Sequence, residues 1–169
     1  MKNGAKAVLK SITLVMLLLC TTAAWFYLEM WLPHRTIYNS RQFDLEEDYR
    51  ARKKVRVACH KVLSHRIGNH HDAFITIQYV GNKDSIPYLI RALKRLEARY
   101  PQEVADKKFG LCTFGHCRSS LEKLTGMEFG WDNKACEMWW EQTGRHLPFD
   151  EKKGQLISQN LQQPEGLNK

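Results

Sequence analysis

Residues 121–140 read Leu-Glu-Lys-Leu-Thr-Gly-Met-Glu-Phe-Gly-Trp-Asp-Asn-Lys-Ala-Cys-Glu-Met-Trp-Trp. A helix commonly ends at a residue in the left-handed conformation, and Gly126 can adopt it. Asp132 then stands where a following helix needs an N-cap. The stretch therefore predicts two helices joined by a glycine-bounded loop, the antiparallel pair from which helical repeat arrays are built. It indicates a packing scaffold and not a reaction centre.

Capping residues and hydrophobic periodicity extend this pattern towards the N-terminus. The clearest stripe follows Ser85, an N-cap candidate, where apolar residues recur at i, i+3, i+4, i+7 and i+10 from Ile86. Asp44 and Glu47 resemble a capping box at the start of an earlier helix. No segment alternates apolar and polar residues long enough to demand a sheet, so we expect an all-α domain. Its helices are expected at about residues 44–65, 71–80, 85–99, 116–125 and 133–142.

The N-terminal segment is apolar, and residues 11–28 carry no charge. At about 1.5 Å per residue, such a helix spans roughly 27 Å, close to the thickness of the hydrocarbon core of a bilayer. Trp25, Tyr27 and Trp31 cluster at its far end, where aromatic rings favour the headgroup region. Pro33 is expected to end the helix. We therefore predict that the chain contacts a membrane through residues 8–32.

Three interpretations of this segment compete. A cleaved signal peptide has a shorter apolar core and a small-x-small site, and here the apolar run continues past the weak site at residues 22–24 to Leu32. A lipoprotein signal needs a small residue before the acylated cysteine, and Leu19 precedes Cys20. An uncleaved signal anchor fits best. The expected parts are then a transmembrane segment, a polar connector, a helical domain and a polar tail, at residues 1–33, 34–43, 44–147 and 148–169.

Charge and cysteine content bear on the orientation of the domain. Three lysines before the apolar run favour a cytoplasmic N-terminus, although three arginines after it almost balance the count: Lys2, Lys6, Lys10, Arg35, Arg41 and Arg50. Four cysteines lie outside the apolar segment, and an even number suits disulfides in an oxidising compartment. We expect the helical domain to be extracytoplasmic, in a periplasm or a lumen.

The formal net charge of the chain is +8. Such a charge attracts anionic lipid or an acidic partner, yet a solvated surface of mixed sign explains it better. The only basic cluster, at residues 50–56, follows the acidic residues 46–48. Aromatic residues that could stack on bases do not interleave with it. Nucleic acid is therefore not an expected partner.

Two stretches resemble HEAT-like repeat proteins, in particular membrane-anchored bacterial members of that group. Val-Gly-Asn-Lys-Asp-Ser-Ile-Pro-Tyr-Leu-Ile-Arg-Ala-Leu at residues 80–93 is similar to the junction between two HEAT helices. Residues 121–140 resemble the unit that closes many such arrays. The resemblance covers residues 70–145 and implies a short array of antiparallel helix pairs. Most members of the group bind proteins through a concave helical surface, and a minority are bilin-attachment lyases of light-harvesting antennae.

Cys136 departs from that closing unit, where a tryptophan commonly stands. A thiol in place of a large core side chain leaves a void that costs a few kcal/mol unless another group fills it. A disulfide at Cys136 would be one remedy, so its placement is of interest.

The nearest approach to a chemical site is Cys112-Thr-Phe-Gly-His-Cys117. Cys112, His116 and Cys117, with Cys136 or Cys59, could ligate a structural zinc ion, although the spacing only approaches the usual one. Disulfides among these cysteines are an open alternative, and unpaired thiols are another. Four further histidines recur at about five-residue intervals on predicted helices, which turns their side chains apart. They are expected at the surface or at helix caps: His60, His65, His70 and His71.

The expected function is that of a non-enzymatic, membrane-tethered scaffold or adaptor that binds a protein partner and needs no cofactor. The partner surface is expected on the second and fourth helices of the domain, with Trp139 and Trp140 at its end. Two alternatives stay open. One is an accessory subunit of a membrane complex, and the other is a Cys/His-dependent enzyme or cofactor-attachment factor, for which a bilin lyase is the model.

Overall fold

The computed structural model describes residues 2–40, 48–66, 70–102, 112–130 and 132–157. The described chain is predominantly helical, which confirms the all-α prediction. We number its helices α1 (Lys2–Phe26), α2 (Leu32–Asn39), α3 (Tyr49–Ser64), α4 (His71–Val80), α5 (Ile86–Arg99), α6 (Cys112–Thr125) and α7 (Asn133–Gln142).

One helical stretch of the described chain, Lys10–Asn39, is long and apolar enough to cross a membrane. The apolar side chains of its N-terminal part, among them Leu14 and Leu18, are exposed, whereas Ile37 near its C-terminal end is buried in the domain core. It joins α1 to α2 through a π-helical turn at Tyr27–Trp31. The helix therefore continues past the predicted stop, and the first residues of the predicted polar connector are helical.

Pro33 does not end the helix because the π turn precedes it. The Leu32 N–H donates to the Tyr27 carbonyl five residues earlier, so the chain enters α2 with Pro33 in the first turn. A proline there needs no intrahelical donor of its own. The carbonyl of Glu29, four residues before Pro33, receives a hydrogen bond from elsewhere: the Nε2 atom of His65 lies 3.1 Å away.

Helix α3 begins later than the sequence predicts. Asp48 is its N-cap, and the carboxylate accepts hydrogen bonds from the backbone N–H groups of Arg50 and Ala51 at 2.9 and 3.0 Å. The predicted capping box at Asp44 and Glu47 lies outside the described residues. One face of α3 is buried, through Val55, Ala58, Cys59, Val62 and Leu63.

Helices α4 and α7 have the predicted bounds, and Asp132 caps α7 by accepting from the Ala135 N–H at 2.8 Å. Ser85 occupies the predicted N-cap position of α5, but its side chain makes no capping hydrogen bond to that helix. It lies in a 3-10 turn at Lys83–Ser85 that runs into α5, and Asn82 caps that turn. The Ser85 hydroxyl accepts from the Asn82 N–H at 3.1 Å.

Helix α6 begins four residues earlier than predicted, at Cys112 instead of His116, and ends at Gly126 with φ +70° as predicted. The following tail does not remain loose throughout. Phe149–Asp150 pairs with Gln155–Leu156 in a short antiparallel hairpin. Leu156 is buried against α6, and the Gln155 side chain lies directly over Gly126. Residues 158–169 lie outside the described part.

The domain has one continuous apolar core, to which helices α2 to α7 and the hairpin contribute. Helix α2 packs along α3, α3 packs on α4 and α5, and α6 packs on both α4 and α5. The largest side chains that are fully buried in it are Phe74, Phe114, Leu63, Ile77, Ile86, Leu89, Leu121 and Leu124.

Candidate functional site

The fold brings three potential metal ligands together at one end of the α4–α6 pair. The side chains of His71, Cys112 and His116 each offer one ligand atom, and these atoms lie within 4.8 Å of one another. The Nε2 atom of His71 is 3.2 Å from the Cys112 sulfur. The His71 and His116 rings meet edge to face, with centroids 4.8 Å apart.

Helix geometry explains why these side chains converge. Cys112 opens α6 and His116 follows one turn later, so the two lie on the same face. His71 is the first residue of α4. The two helices are held together nearby by the buried Ser120, whose hydroxyl donates to the Phe74 carbonyl at 2.7 Å. The starts of both helices therefore lie side by side.

The cluster is open to solvent on one side. Cys112 is exposed, whereas His71 and His116 are half-buried. Asp72 lies behind His71, with its Oδ1 atom 3.5 Å from Nδ1 of the imidazole. The imidazole is thus flanked by a carboxylate on one nitrogen and by a thiol on the other.

Three of the candidate metal ligands lie elsewhere. Cys117 follows Cys112 by five residues on α6, which turns it by about 140° around the helix, and its thiol is buried and donates to the Leu89 carbonyl at 3.5 Å. Cys136 is buried on α7, where desolvation raises the pKa of its thiol to about 12. Burial likewise raises the pKa values of Cys117 and Cys59. These thiols belong to the core.

The predicted disulfides are not supported. Within the described residues, which include all five cysteines of the chain, every cysteine is a free thiol. Cys112 and Cys117 point to different sides of one helix, and that arrangement prevents a bridge between them. Cys136 occupies its core position as an apolar thiol.

The sequence indicated Cys112 and His116 as candidate ligands and placed His71 at the surface or at a cap. The Cys-x-x-x-His spacing is visible in the sequence, but the predicted helix began at His116, so the shared helix face of the pair appears only in the structure. His71 is separated from Cys112 by 41 positions, and only the packing of α4 on α6 brings it there. No local pattern could have signalled that contact.

The two tryptophans proposed for a partner surface differ in exposure. Trp140 is buried, with 8% of its surface exposed, and is therefore not available to a partner. Trp139 is half-buried and packs on Phe129, with ring centroids 5.3 Å apart. Gly144 lies against both tryptophan rings, where a side chain would collide with them.

The membrane-length helix is joined to the domain by polar contacts near its end. The Lys61 ammonium lies 2.7 Å from the Glu29 carboxylate. The Trp25 ring meets the His65 imidazole edge to face at 6.5 Å. Together with the hydrogen bond from His65 to the Glu29 carbonyl, these contacts connect residues 25–29 to the C-terminal half of α3.

A groove of about 410 Å³ lies between α2 and α3. Its lining includes three cations, Arg35, Arg50 and Lys54, beside the Asp48 cap and the apolar Leu32 and Val55. It lies directly after the membrane-length helix in the chain.

His60 on α3 packs against the start of α5. Its ring stacks on Tyr88 with centroids 4.2 Å apart, and its Nε2 atom lies 2.8 Å from the Ser85 hydroxyl. Burial, reinforced by the nearby Arg56, lowers its pKa to about 4. The ring is therefore neutral at physiological pH and acts as a packing group, whereas the sequence placed it at the surface or at a helix cap.

Comparisons with known proteins do not assign this arrangement to a class. No family model, no curated protein and no solved structure matches the chain. The HEAT-like assignment thus stays a prediction from residues 80–93 and 121–140.

Proposed function

We propose that the chain is a membrane-tethered helical adaptor that binds a protein partner at the membrane surface. The observation that carries this proposal is the helix Lys10–Asn39. Its most apolar part is exposed and is not covered by the domain. An apolar helix of this length, with side chains that no other part of the protein covers, is typical of a segment that crosses a bilayer. The protein takes the orientation that the N-terminal lysines favour, with the helical domain outside the cytoplasm.

The contacts between the anchor helix and the domain favour an adaptor with a fixed orientation over a domain attached by a flexible linker. Trp25 and Glu29 contact α3, and α2 packs along the same helix. A domain held in this way presents a constant face to the plane of the membrane. Confinement to that plane raises the effective concentration of a partner, so a small interface suffices.

The partner surface is formed by the exposed sides of α4 and α6. Tyr79 is 64% exposed near the end of α4. The Lys123 ammonium of α6 lies 4.5 Å above the centre of its ring. An aromatic side chain with a cation over its face is a common anchor in protein interfaces. In this proposal α4 with α5 and α6 with α7 form two HEAT-like helix pairs.

Co-purification from native membranes with three variants tests the proposal. Tyr79→Ala should release the partner, whereas Tyr49→Ala should retain it, since Tyr49 is 66% exposed on α3 but lies away from the proposed surface. Replacement of residues 11–24 with an unrelated apolar span should also retain the partner, because Trp25 and Glu29 stay in place. Loss of the partner only with the span replacement would instead identify an accessory subunit that binds through its transmembrane helix. Equal retention by all three variants would refute the proposed surface.

A further inference from the structure

We propose that His71, Cys112 and His116 bind a zinc ion that joins the start of α4 to the start of α6. The site is distinct from the partner surface at Tyr79, which lies near the other end of α4. It uses one residue that the sequence did not indicate as a ligand and excludes Cys117 and Cys136.

The chemistry of the ligand set selects the metal. One thiolate and two imidazole nitrogens form a soft to borderline set that suits zinc among the common cellular metals, whereas magnesium and calcium require oxygen ligands. Three protein ligands also match the number found in zinc sites that keep one position open. The exposure of Cys112 places that position towards solvent, where a water molecule completes the tetrahedron.

The distances fit a tetrahedral ion. With Zn–S near 2.3 Å and Zn–N near 2.0–2.1 Å, neighbouring ligand atoms of a tetrahedral site lie about 3.3–3.6 Å apart. The His71 nitrogen and the Cys112 sulfur are already 3.2 Å apart. The atoms of the set lie within 4.8 Å of one another, so side-chain rotations that move the ligand atoms by about 1–1.5 Å close the site. Cys112 and His116 share one helix face, so both side chains are already directed to the same place.

Asp72 supplies the outer contact that zinc-binding histidines typically have. Its carboxylate faces Nδ1 of His71 at 3.5 Å, while Nε2 faces the sulfur. A carboxylate at this position accepts the Nδ1 hydrogen and holds the tautomer in which Nε2 carries the lone pair that binds the metal. If His71 and Asp72 only formed a structural ion pair, Nε2 of His71 would have no reason to face the Cys112 thiol.

Binding of zinc releases a proton from the Cys112 thiol, and the resulting thiolate forms the Zn–S bond. Both imidazoles bind as neutral ligands. The site therefore gains a net charge of +1, and no redox step is involved.

The test uses the full-length protein in detergent, freed of metal by a chelator and then equilibrated with zinc or cobalt(II). We expect one zinc per chain, and with cobalt a thiolate-to-metal charge-transfer band in the near ultraviolet. Cys112→Ser should abolish that band, and His116→Gln and His71→Gln should each remove stoichiometric zinc. Asp72→Asn should retain the band and weaken zinc affinity by about 10-fold.

Two matched controls make the result specific. His146→Gln changes an exposed histidine outside the cluster, and Cys20→Ser removes the other exposed thiol. Both should bind zinc like the unaltered protein. The proposal is overturned if the unaltered protein shows no thiolate band with cobalt, if Cys112→Ser keeps it, or if a control loses as much zinc as the cluster variants. The cobalt spectrum of the unaltered chain decides the matter even if a histidine variant fails to fold.

Discussion

Pro33 removes a hydrogen-bond donor from its helix, and the distant His65 supplies another donor to the carbonyl that is left. A proline within a helix leaves the carbonyl four residues earlier without its usual donor. Here that carbonyl belongs to Glu29, and the His65 ring donates to it at 3.1 Å. The helix therefore continues through the proline and stays attached to α3. A sequence pattern indicates the proline but not the distant donor, so the predicted stop was wrong.

Replacement of His65 by Phe should weaken this junction. The Glu29 carbonyl would lose a donor in a partly buried place, which costs about 1–2 kcal/mol of the free energy of unfolding. His65→Gln retains a donor and should cost less. Urea unfolding in detergent, followed by far-ultraviolet circular dichroism, measures both. Equal stability of the Phe variant and the unaltered protein would show that the hydrogen bond contributes nothing.

His60 should make the domain less stable in mild acid. Its pKa is lowered to about 4 by burial, whereas the unfolded chain titrates near 6.5. The unfolded state therefore binds more protons between these values, so stability is fully present above pH 6.5 and falls as the pH drops towards 4. The predicted loss from pH 7.5 to 5 is at most about 2 kcal/mol, and partial exposure of the ring moves it towards 1 kcal/mol.

His60→Gln should flatten that part of the stability profile, and His146→Gln should not. Urea unfolding of the three proteins at pH 5, 6, 7 and 7.5 provides the comparison. Other histidines contribute to the profile, so the difference between His60→Gln and the unaltered protein is the relevant quantity. A constant difference across these pH values would contradict the assigned pKa.

Helix α6 contains two glycines with opposite requirements, one within it and one at its end. Gly115 lies inside the helix, and a methyl group added there meets nothing within 4 Å. Gly126 has φ +70°, and a methyl group there would collide with the Gln155 side chain of the hairpin. Only the second glycine is required by the fold.

Alanine at these two positions should therefore change stability in opposite directions. Gly115→Ala should raise the free energy of unfolding by up to about 1 kcal/mol, because alanine favours the helix. Gly126→Ala should lower it by about 1–2 kcal/mol through left-handed strain, and more through displacement of the hairpin. Thermal unfolding of both variants is the measurement. A stabilising Gly126→Ala would show that the hairpin does not pack on α6.

Local signals at the level of the element predicted some features and missed others for physical reasons. The bounds of α4 and α7 followed from glycine and aspartate at their ends, because caps act within one turn. The start of α6 was missed, since Gly115 in its first turns looks like a loop residue. The hairpin at 149–156 was missed because two-residue strands depend on packing against α6.

The candidate site was predictable only in part for the same reason. The sequence named Cys112 and His116 as candidates, but it predicted the helix only from His116, so their shared face follows only once α6 is seen to begin at Cys112. His71 joins them through the packing of a different helix. Cys117 lies outside the cluster, because the rotation of about 140° between positions i and i+5 of a helix turns its thiol into the core.

The membrane anchor, the exposed Cys112 thiol and the orientation of the domain across the membrane can be tested in one experiment. Cys112 is exposed on the helical domain, whereas Cys59, Cys117 and Cys136 are buried. In right-side-out membrane vesicles treated with a metal chelator, a membrane-impermeant maleimide should therefore label Cys112 and leave the three buried thiols unmodified. Cys112→Ser should remove the signal, and prior addition of zinc should slow it, because a metal-bound thiolate is a poor nucleophile for the probe.

In inside-out vesicles we expect no labelling of Cys112, and this result decides on which side of the membrane the domain lies. The lysines before the span place the N-terminus in the cytoplasm, so Cys112 should stay unlabelled there until detergent opens the vesicles. Labelling only in inside-out vesicles would place the domain in the cytoplasm, and would leave the anchor intact while refuting its direction. Extraction of the chain by carbonate without detergent would refute the anchor itself, because about 27 Å of apolar helix held in a bilayer is not released by alkaline wash. The two outcomes are independent, since the depth of burial depends on residues 11–28 and the direction depends on the charges that flank them.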